Sequence, residues 1–562
     1  MRRALLVLAV VVGASAVGPG PAAGAEAEWG VTSALDKVRP GDRTPHARAI
    51  ELVAARGECE SAQIVVRAPA GLAALAAEAP PLRGAGQPIL AAIHRVAYLD
   101  LPLPSGPDGA AGAWPDPLIP ARDPYFGERR RAFPAAVARG ALQPVWVEIC
   151  VPVEARPGRY GGVVRLTERG GPLAQVPVSL RVWPFALPRT GTFAAPFGLS
   201  TRLGTRALGA PGDPAVARAL AAAALRHRVT PFTLSADPPD GRCTARECSL
   251  DWTRYDAEVA PILDGTLVPG VKGAFAEVRI PGPAWSGPEE DLAATLRAWR
   301  AHFQARGWAD RLWLYTLDEP RGDQLPELAR RARLARAAGV RVFATTAPQA
   351  ALDEVVDAFA PNLVVLPEGR APARVSYSYA SCLSHGCGEL PAAGPDREAM
   401  SREFSGWPGY EIDRPGGAAR AVAWLAWRRG LAGELYYDML QAWSGDPWRE
   451  VRAFAGNGDG TLLYPGHPGE LGGAHPFPVE SIRLKIIRDA LEDLELLRLA
   501  TAAGLGPLAR SRAAALVPSA RSWARRPEPW LEARRALGDA LAREIARGRR
   551  ARSPRGPPPT RG

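Results

Sequence analysis

Two adjacent carboxylates, Asp318 and Glu319, are the residues whose types and spacing most directly allow chemistry in this chain. They follow the apolar segment 311–317 and precede Pro320, whose missing backbone N–H ends strand pairing. Paired carboxylates can serve as a general acid and a general base. Where a strand ends and the backbone turns, two neighbouring side chains can reach one pocket. An equally supported alternative is that Asp318 caps the helix after Pro320 while Glu319 is solvated.

The elements that must position this pair form a repeating series. After Trp183, short apolar segments alternate with helical segments rich in Ala, Arg and Leu, which predicts parallel β/α architecture. The predicted strands are 193–199, 229–234, 275–280, 311–317, 341–345, 363–366, 434–439 and 461–464. The predicted helices between them are 214–226, 292–306, 324–338 and 416–429. About eight such strands predict a (β/α)8 TIM-like barrel over residues 186–505, with Asp318 and Glu319 at the strand ends that carry active sites.

Other regions of the chain have different patterns. Residues 26–185 contain short alternating segments between turn signals, which predict an N-terminal β-sandwich domain preceding the barrel. Within it, the Pro-, Gly- and Asp-rich stretch 101–134 predicts a long loop. Helices predicted at 480–503 and 529–546 end the ordered part, the C-terminal helical segment being 506–546. Residues 547–562 read as a basic, Pro-rich, disordered tail.

The N-terminus predicts export. A short basic start is followed by the apolar stretch 4–16 and by small residues ending at Ala25. This pattern is typical of a signal peptide cleaved near Ala25, and its apolar stretch is too short to span a bilayer. No transmembrane segment is predicted elsewhere, so the mature protein is expected to be secreted or periplasmic.

The net charge of +11 does not predict a nucleic-acid partner. Almost all basic residues are Arg and are spread along the whole chain, whereas a nucleic-acid binder more often concentrates its charge on one face. The seven His are scattered and no close Cys repeat occurs, so neither a metal site nor a cofactor is predicted. The sequence pattern does not predict an oligomeric state.

The six cysteines fit an oxidising compartment. Cys243 and Cys248 enclose four residues, as do Cys382 and Cys387, which leaves one cysteine in each of the segments 59–66 and 146–151. Three disulfides are plausible, although six cysteines allow about 15 pairings and the sequence does not choose among them.

Several blocks, in order, resemble glycoside hydrolase family 123 and the related domain-of-unknown-function family 4091. The resemblance extends from residue 183 to about residue 500 and includes Leu-Tyr-Thr-Leu-Asp-Glu-Pro at 314–320, Thr-Thr-Ala-Pro at 345–348, Tyr-Glu-Ile-Asp-Arg-Pro-Gly at 410–416, Gly-Glu-Leu-Tyr-Tyr at 433–437 and Gly-Asp-Gly-Thr-Leu-Leu-Tyr-Pro-Gly at 458–466. The N-terminal region also resembles the β-sandwich that precedes these barrels.

The resemblance implies a glycan or glycoconjugate substrate and retaining, substrate-assisted hydrolysis, in which the 2-acetamido group of a hexosamine attacks its own anomeric carbon. Asp318 would then orient the acetamido N–H. Glu319 would protonate the leaving oxygen and later deprotonate water. The implied substrate is a β-linked N-acetylhexosamine such as N-acetylgalactosamine. The alternative is a non-catalytic carbohydrate-binding or cell-surface protein on the same scaffold.

Four further residues are candidate substrate contacts. In place of a His-Pro-Asn-like run of the family, this chain has His385 in a loop bounded by two cysteines, where it is either a sugar ligand or a structural residue. Tyr437 or Trp443 would stack on a pyranose ring, core packing being the alternative for each. Tyr315 is also a candidate, although a position inside the barrel is the stronger expectation for it.

Overall fold

A computed structural model describes residues 27–232, 237–383, 386 and 394–552 of the chain. The predicted signal peptide and residues 553–562 of the predicted tail lie outside these residues. The N-terminal part consists of strands β1 (Glu28–Ser33), β2 (Ile50–Arg56), β3 (Cys59–Arg67), β4 (Leu72–Glu78), β5 (Arg83–Gly84), β6 (Ala91–Leu101), β7 (Gly112–Pro120), β8 (Ala135–Val137), β9 (Leu142–Cys150), β10 (Gly158–Glu168) and β11 (Gly171–Ala186).

The middle of the chain alternates short strands with helices. In chain order these are β12 (Pro196–Gly198), α1 (Thr201–Ala207), α2 (Pro214–Arg226), β13 (Thr230–Phe232), β14 (Asp240–Cys243), β15 (Cys248–Asp251), α3 (Thr253–Leu263), β16 (Ala276–Glu277), α4 (Glu289–Ala305), β17 (Leu312–Leu314), α5 (Gln324–Ala337), β18 (Arg341–Ala344), β19 (Ala358–Phe359), β20 (Tyr377–Tyr379), α6 (Pro395–Phe404), α7 (Gly417–Arg429) and β21 (Gly433–Leu435).

The last part begins with a small hairpin and ends in helices. It contains β22 (Arg452–Ala453), β23 (Gly456–Asn457), β24 (Leu463–Gly466), α8 (Pro468–Leu471), β25 (Phe477–Ser481), α9 (Ile482–Ala500), α10 (Gly506–Leu516) and α11 (Pro527–Arg552). Helix α11 therefore continues into the stretch 547–562 that was predicted to be disordered. No helix of the described residues combines the length and apolar character that a membrane crossing requires.

Two sheets of mostly antiparallel strands share one core in the N-terminal part. Among the described residues, one sheet has the order β1-β3-β9-β6-β7-β25-β24 and the other the order β2-β11-β10-β4-β8, with β5 paired to β10. Apolar side chains from both sheets meet in a single cluster, which includes Ile64, Val147, Val164 and Leu180. Both sheets therefore contribute to one apolar core.

The first sheet differs from the sequence prediction at β7, β24 and β25. Strand β7 lies inside the stretch predicted as a loop, because a register shift between Val96 and Tyr98 accommodates its proline-rich sequence, as bulges commonly do. The strand predicted at 461–464 as part of the parallel series is β24, which pairs antiparallel with β25. Strand β25 in turn pairs with β7. Strands β24 and β25, from the C-terminal part of the chain, thus belong to the same sheet as strands from the N-terminal part.

A curled parallel sheet occupies the middle of the chain. Ladders and isolated bridges connect its strands in the order β13-β12-β21-β20-β19-β18-β17-β16, and all of these pairings are parallel. The edges β13 and β16 lie near one another: Ala274 N donates a hydrogen bond to Thr230 Oγ1 (2.9 Å), and the rings of Phe232 and Phe275 are 5.6 Å apart. The architecture is mixed α/β, as predicted.

One apolar cluster gathers side chains from most of these parallel strands. It contains Phe232, Phe275, Trp313, Phe343, Ala358, Tyr377 and Leu435, with Tyr315 and Tyr379 packed against it. Buried side chains from most of the helices belong to a second, larger apolar cluster. The predicted strand 363–366 is instead a 3-10 turn, because the Asn362 side chain accepts a hydrogen bond from Val364 N (3.1 Å). Strand β20 takes the place that this segment was expected to fill.

Buried ion pairs connect α9 to strand β9 of the N-terminal part, and disulfides link cysteines within each part of the chain. Lys485 Nζ on α9 lies 2.8 Å from Glu148 Oε2 on β9, and Arg488 contacts the same carboxylate. Disulfides join Cys59 to Cys150 and Cys243 to Cys248. Cys382 is also disulfide-bonded, whereas Cys387 lies outside the described residues. Disulfides of this kind persist in oxidising compartments.

Glu434 on β21 makes stability depend on pH. It is buried, and its two carboxyl oxygens lie 2.8 and 2.9 Å from Tyr410 Oη. Burial raises the pKa of Glu434 from 4.5 to about 8. The folded protein therefore keeps a proton that the unfolded chain releases, so this group lowers stability as pH rises from about 4.5 to about 8.

We expect Glu434→Gln to be about 5 kcal/mol more stable than the wild type at pH 9, with little difference near pH 4. The amide cannot ionise, and it still accepts a hydrogen bond from Tyr410. Melting temperatures measured from pH 4 to pH 9 check this, with the exposed Glu51→Gln as a control. An offset that is the same at every pH would contradict the burial argument.

Candidate active site

The backbone after β17 turns sharply at the acidic pair. The strand ends at Leu314, and Glu319 has φ = 42°, a left-handed conformation that is uncommon for a residue with a side chain. Such a conformation costs about 1–3 kcal/mol and persists where the surroundings enforce it, which is frequent at active sites. Here the Thr345 hydroxyl, just beyond β18, accepts a hydrogen bond from Glu319 N (2.8 Å).

Asp318 is held by two hydroxyl groups. Tyr315 Oη and Thr345 Oγ1 donate hydrogen bonds to Asp318 Oδ1, at 2.6 and 3.1 Å. Burial, followed by the charge of Asp318, raises the pKa of Tyr315, so its phenol stays a donor. Two donors at one oxygen fix the direction of the Asp318 carboxylate. Because Thr345 touches both Asp318 and the backbone of Glu319, one side chain sets the position of the pair.

Glu319 faces a different set of partners. Tyr379 Oη, at the end of β20, donates a hydrogen bond to Glu319 Oε1, and Arg321 Nη2 lies 3.2 Å from Glu319 Oε2. Burial, and then the hydrogen bond to Glu319, raises the pKa of Tyr379. The Arg321 side chain is 84% exposed, so this ion pair is weak and a ligand can displace it. The half-buried Tyr379 is therefore the partner that holds Glu319 in place.

Tyr315 combines the two roles that the sequence left open. Its ring packs 5.7 Å from that of Phe343, among the aromatic side chains of the curled sheet. Its hydroxyl reaches Asp318. It is a positioning residue for the carboxylate.

Tyr437 lies near this group, two residues beyond Leu435, which pairs with Tyr379 across the β20–β21 ladder. Its ring is half-buried and its hydroxyl is buried without a hydrogen-bond partner among the described residues. A buried hydroxyl without a partner is costly, and a ligand that pairs with it recovers that cost.

Of the other two candidate contacts, only Trp443 lies among the described residues, and it does not line the site. Trp443 is 2% exposed, and its indole N–H donates to Leu463 O (2.8 Å), so it offers no face to a sugar. This placement matches the core-packing alternative. His385 lies outside the described residues.

Four residues near the strand ends were missed as site candidates from the sequence. Thr345 and Tyr379 contact the acidic pair directly. Glu277 ends β16 and lies 2.8 Å from Arg279, and Asp438 follows β21, where burial raises its pKa to about 6. A search for polar residues at the last position of each predicted strand would have found Thr345. It would have missed Tyr379, because β20 was not predicted.

One cluster among the described residues has the composition of a metal site. His94, Glu148 and Glu480 bring their ligand atoms within 4.8 Å of one another, and all three are buried. Lys485 Nζ contacts both carboxylates, at 2.8 Å for Glu148. Its ammonium group supplies the positive charge that an ion would provide. Burial lowers the pKa of His94 to about 4, so the imidazole is neutral at pH 7.

Comparisons with known proteins give a fold relationship. No protein-family model and no curated protein sequence matches the chain. The structure is similar to that of a family 123 glycoside hydrolase from Clostridium perfringens, solved in a study of glycolipid glycan hydrolysis, with a TM-score of 0.62 and 11% identity over 93% of this chain and 99% of that one.

Weaker similarities were found to two further glycoside hydrolases. A Bacteroides ovatus GH5 xyloglucanase in complex with a XXXG heptasaccharide gives a TM-score of 0.27 and 11% identity over 79% of this chain and 98% of that one. A family 39 glycoside hydrolase from Bacteroides cellulosilyticus WH2 gives a TM-score of 0.31 and 11% identity over 79% of this chain and 82% of that one. The similarity to the Clostridium enzyme covers both parts of the chain, and the protein has a glycosidase-like fold.

Proposed function

We propose that the protein is a secreted glycoside hydrolase in which Asp318 and Glu319 are the catalytic residues. The supporting observation is the shared anchoring of the pair: Tyr315 and Thr345 hold Asp318, while Tyr379 holds Glu319. A helix cap would not require three side chains from neighbouring strand ends. In this proposal the curled sheet is a (β/α)8 barrel and the N-terminal sheets are its β-sandwich domain.

The geometry suits substrate-assisted catalysis with retention. The Asp318 carboxylate, held in place by two hydroxyl donors, accepts a hydrogen bond from the acetamido N–H of the substrate. The acetamido oxygen then attacks the anomeric carbon while the glycosidic oxygen leaves with a proton from Glu319. Water next attacks the anomeric carbon of the oxazolinium intermediate and gives its proton to Glu319. The ring opens to the sugar, and both carboxyl groups return to their starting states.

The proposed substrate class follows from the family resemblance rather than from a sugar-specific contact. Family 123 and this chain share the order of sequence blocks around the acidic pair and the overall fold. We therefore propose β-linked N-acetylhexosamine, with N-acetylgalactosamine as the first sugar to test. Localisation outside the cytoplasm is part of the proposal, supported by the N-terminal sequence and the disulfides.

One contact favours a second candidate function. The Arg321 guanidinium pairs with Glu319, the carboxyl group that must act on the glycosidic oxygen in the enzyme. A non-catalytic carbohydrate-binding protein on the same scaffold would tolerate this pairing. Exposure of the arginine makes the pair weak, which favours the enzyme.

Hydrolysis of aryl β-N-acetylhexosaminides by the purified protein tests the proposal. We expect turnover of the galacto- or gluco-configured compound and, by proton NMR, a first-formed product with the β configuration of the substrate. A first-formed α-anomer would contradict substrate assistance. Binding of sugars without release of the aryl group across the panel would support the non-catalytic alternative.

A further inference from the structure

A small hairpin near Tyr437 has an unusual turn. Strands β22 and β23 are joined by Phe454 and Ala455, whose φ angles are 48° and 68°. Two-residue turns with both central residues left-handed normally use Asn and Gly, because a side chain there is strained. Neither residue of this turn is Gly, Asn or Asp. This turn therefore carries a large aromatic side chain at the tip of the hairpin.

The Phe454 ring is presented to solvent and touches Tyr437. It is 49% exposed, in contrast to Phe197, Phe232, Phe275 and Phe343 of the core, which are at most 4% exposed. Its centroid lies 5.6 Å from that of Tyr437, with the two rings at 68° in an edge-to-face arrangement. Tyr437 itself lies two residues beyond the ladder position of Tyr379, which binds Glu319. Phe454 is therefore an exposed ring in contact with Tyr437, at the edge of the curled sheet where the parallel strands end and where the acidic pair also lies.

The base of the hairpin is fixed by the N-terminal part. Asn457 Nδ2 donates to Leu103 O, and Asn457 N donates to Ser105 Oγ, each at 2.8 Å. Arg452 Nη1 donates to Pro104 O (3.1 Å). All three acceptors lie in the connection between β6 and β7. Ser105 N in this connection also donates a hydrogen bond to Asp413 Oδ2 (2.8 Å). These hydrogen bonds fix the two strands that carry the Phe454 turn.

We propose that Phe454 and Tyr437 form a platform for the sugar ring on the leaving-group side of the cleaved bond. A pyranose ring has an apolar face of C–H groups, and an aromatic side chain offers a flat apolar surface of similar size. A ring that is half exposed suits a sugar that leads into solvent, whereas the cleaved residue would lie beside the two carboxylates. The inference rests on the proposed glycosidase function and adds a recognition element for oligosaccharide chains.

Two substrates of different length test this platform. For a trisaccharide with a terminal β-N-acetylhexosamine, we expect Phe454→Ala to lower kcat/KM about tenfold, since one stacked ring contributes a modest amount of binding. For the methyl glycoside of the same sugar, which has no ring on the leaving-group side, we expect a change of less than twofold. Phe454→Trp should retain trisaccharide activity. Ala455→Gly, in the same turn, removes one strained side chain and keeps the ring, so it should behave like the wild type.

Binding measurements separate failure of this inference from failure of the proposed function. Calorimetry with the trisaccharide and with free N-acetylhexosamine compares the Glu319→Gln protein with the double variant that also carries Phe454→Ala. An equal loss for both ligands, or no loss for either, would overturn the platform while leaving hydrolysis by the wild type intact. Absence of both hydrolysis and saccharide binding in the wild type would instead overturn the proposed function, and the platform with it.

Discussion

Glu319→Gln should lower kcat/KM for a β-N-acetylhexosaminide with a sugar or alkyl leaving group by about a thousandfold. The amide keeps the shape of the side chain and its hydrogen bond from Tyr379, but it has no proton to give to the departing oxygen. The loss should be much smaller for a dinitrophenyl glycoside, whose leaving group departs without protonation. Initial rates on both substrates measure this difference.

Asp323→Asn is a matched control for the acid variant. Asp323 is exposed, lies four residues from Glu319 on the same connection, and has no side-chain capping bond to α5. We expect its activity to stay within twofold of the wild type on both substrates. Wild-type rates in Glu319→Gln for the alkyl glycoside would remove this residue from the mechanism.

Asp318→Asn should lower kcat on 2-acetamido substrates by about a hundredfold or more. The carboxylate accepts hydrogen bonds from Tyr315 and Thr345 and faces the acetamido N–H in the proposed complex, where positive charge develops as the acetamide attacks. An amide at this position is neutral and presents an N–H group to donors. The affinity for a thiazoline inhibitor, which mimics the cyclic intermediate, should fall in parallel with kcat.

Tyr315→Phe separates positioning from charge at the same site. It removes one of the two donors to Asp318 but leaves the carboxylate and the aromatic packing against Phe343, so we expect a loss of about tenfold. If Asp318→Asn weakened thiazoline binding no more than Tyr315→Phe, the charge of Asp318 would not be stabilising the intermediate.

The acidic pair and the elements around it were predictable from local pattern. Helix α2 was predicted at its observed bounds, and α4, α5 and α7 to within a few residues, because their apolar residues recur with helical spacing. The position of Asp318 and Glu319 after a strand followed from an apolar run ended by a proline. The left-handed backbone of Glu319 could not be predicted, because no glycine marks the turn.

What the sequence did not predict depends on contacts distant along the chain. Tyr379 contacts Glu319 across 60 residues, and β20 was missed because the Tyr-Ser-Tyr segment is short and polar. Strand β7 was hidden by its prolines, which are accommodated where β7 itself bulges, two of its residues facing one residue of β6. The buried charges of α9 find partners more than 300 residues away, which no local pattern encodes.

Strand β25 has a consequence for how the protein is made. Strand β7 pairs on one side with β6 and on the other with β25, which is synthesised more than 350 residues later. Until that segment leaves the ribosome, the N-terminal sheet has an open edge at β7, and open edges attract other strands. The N-terminal part therefore depends on remaining unfolded, or chaperoned, until nearly the whole chain has been synthesised.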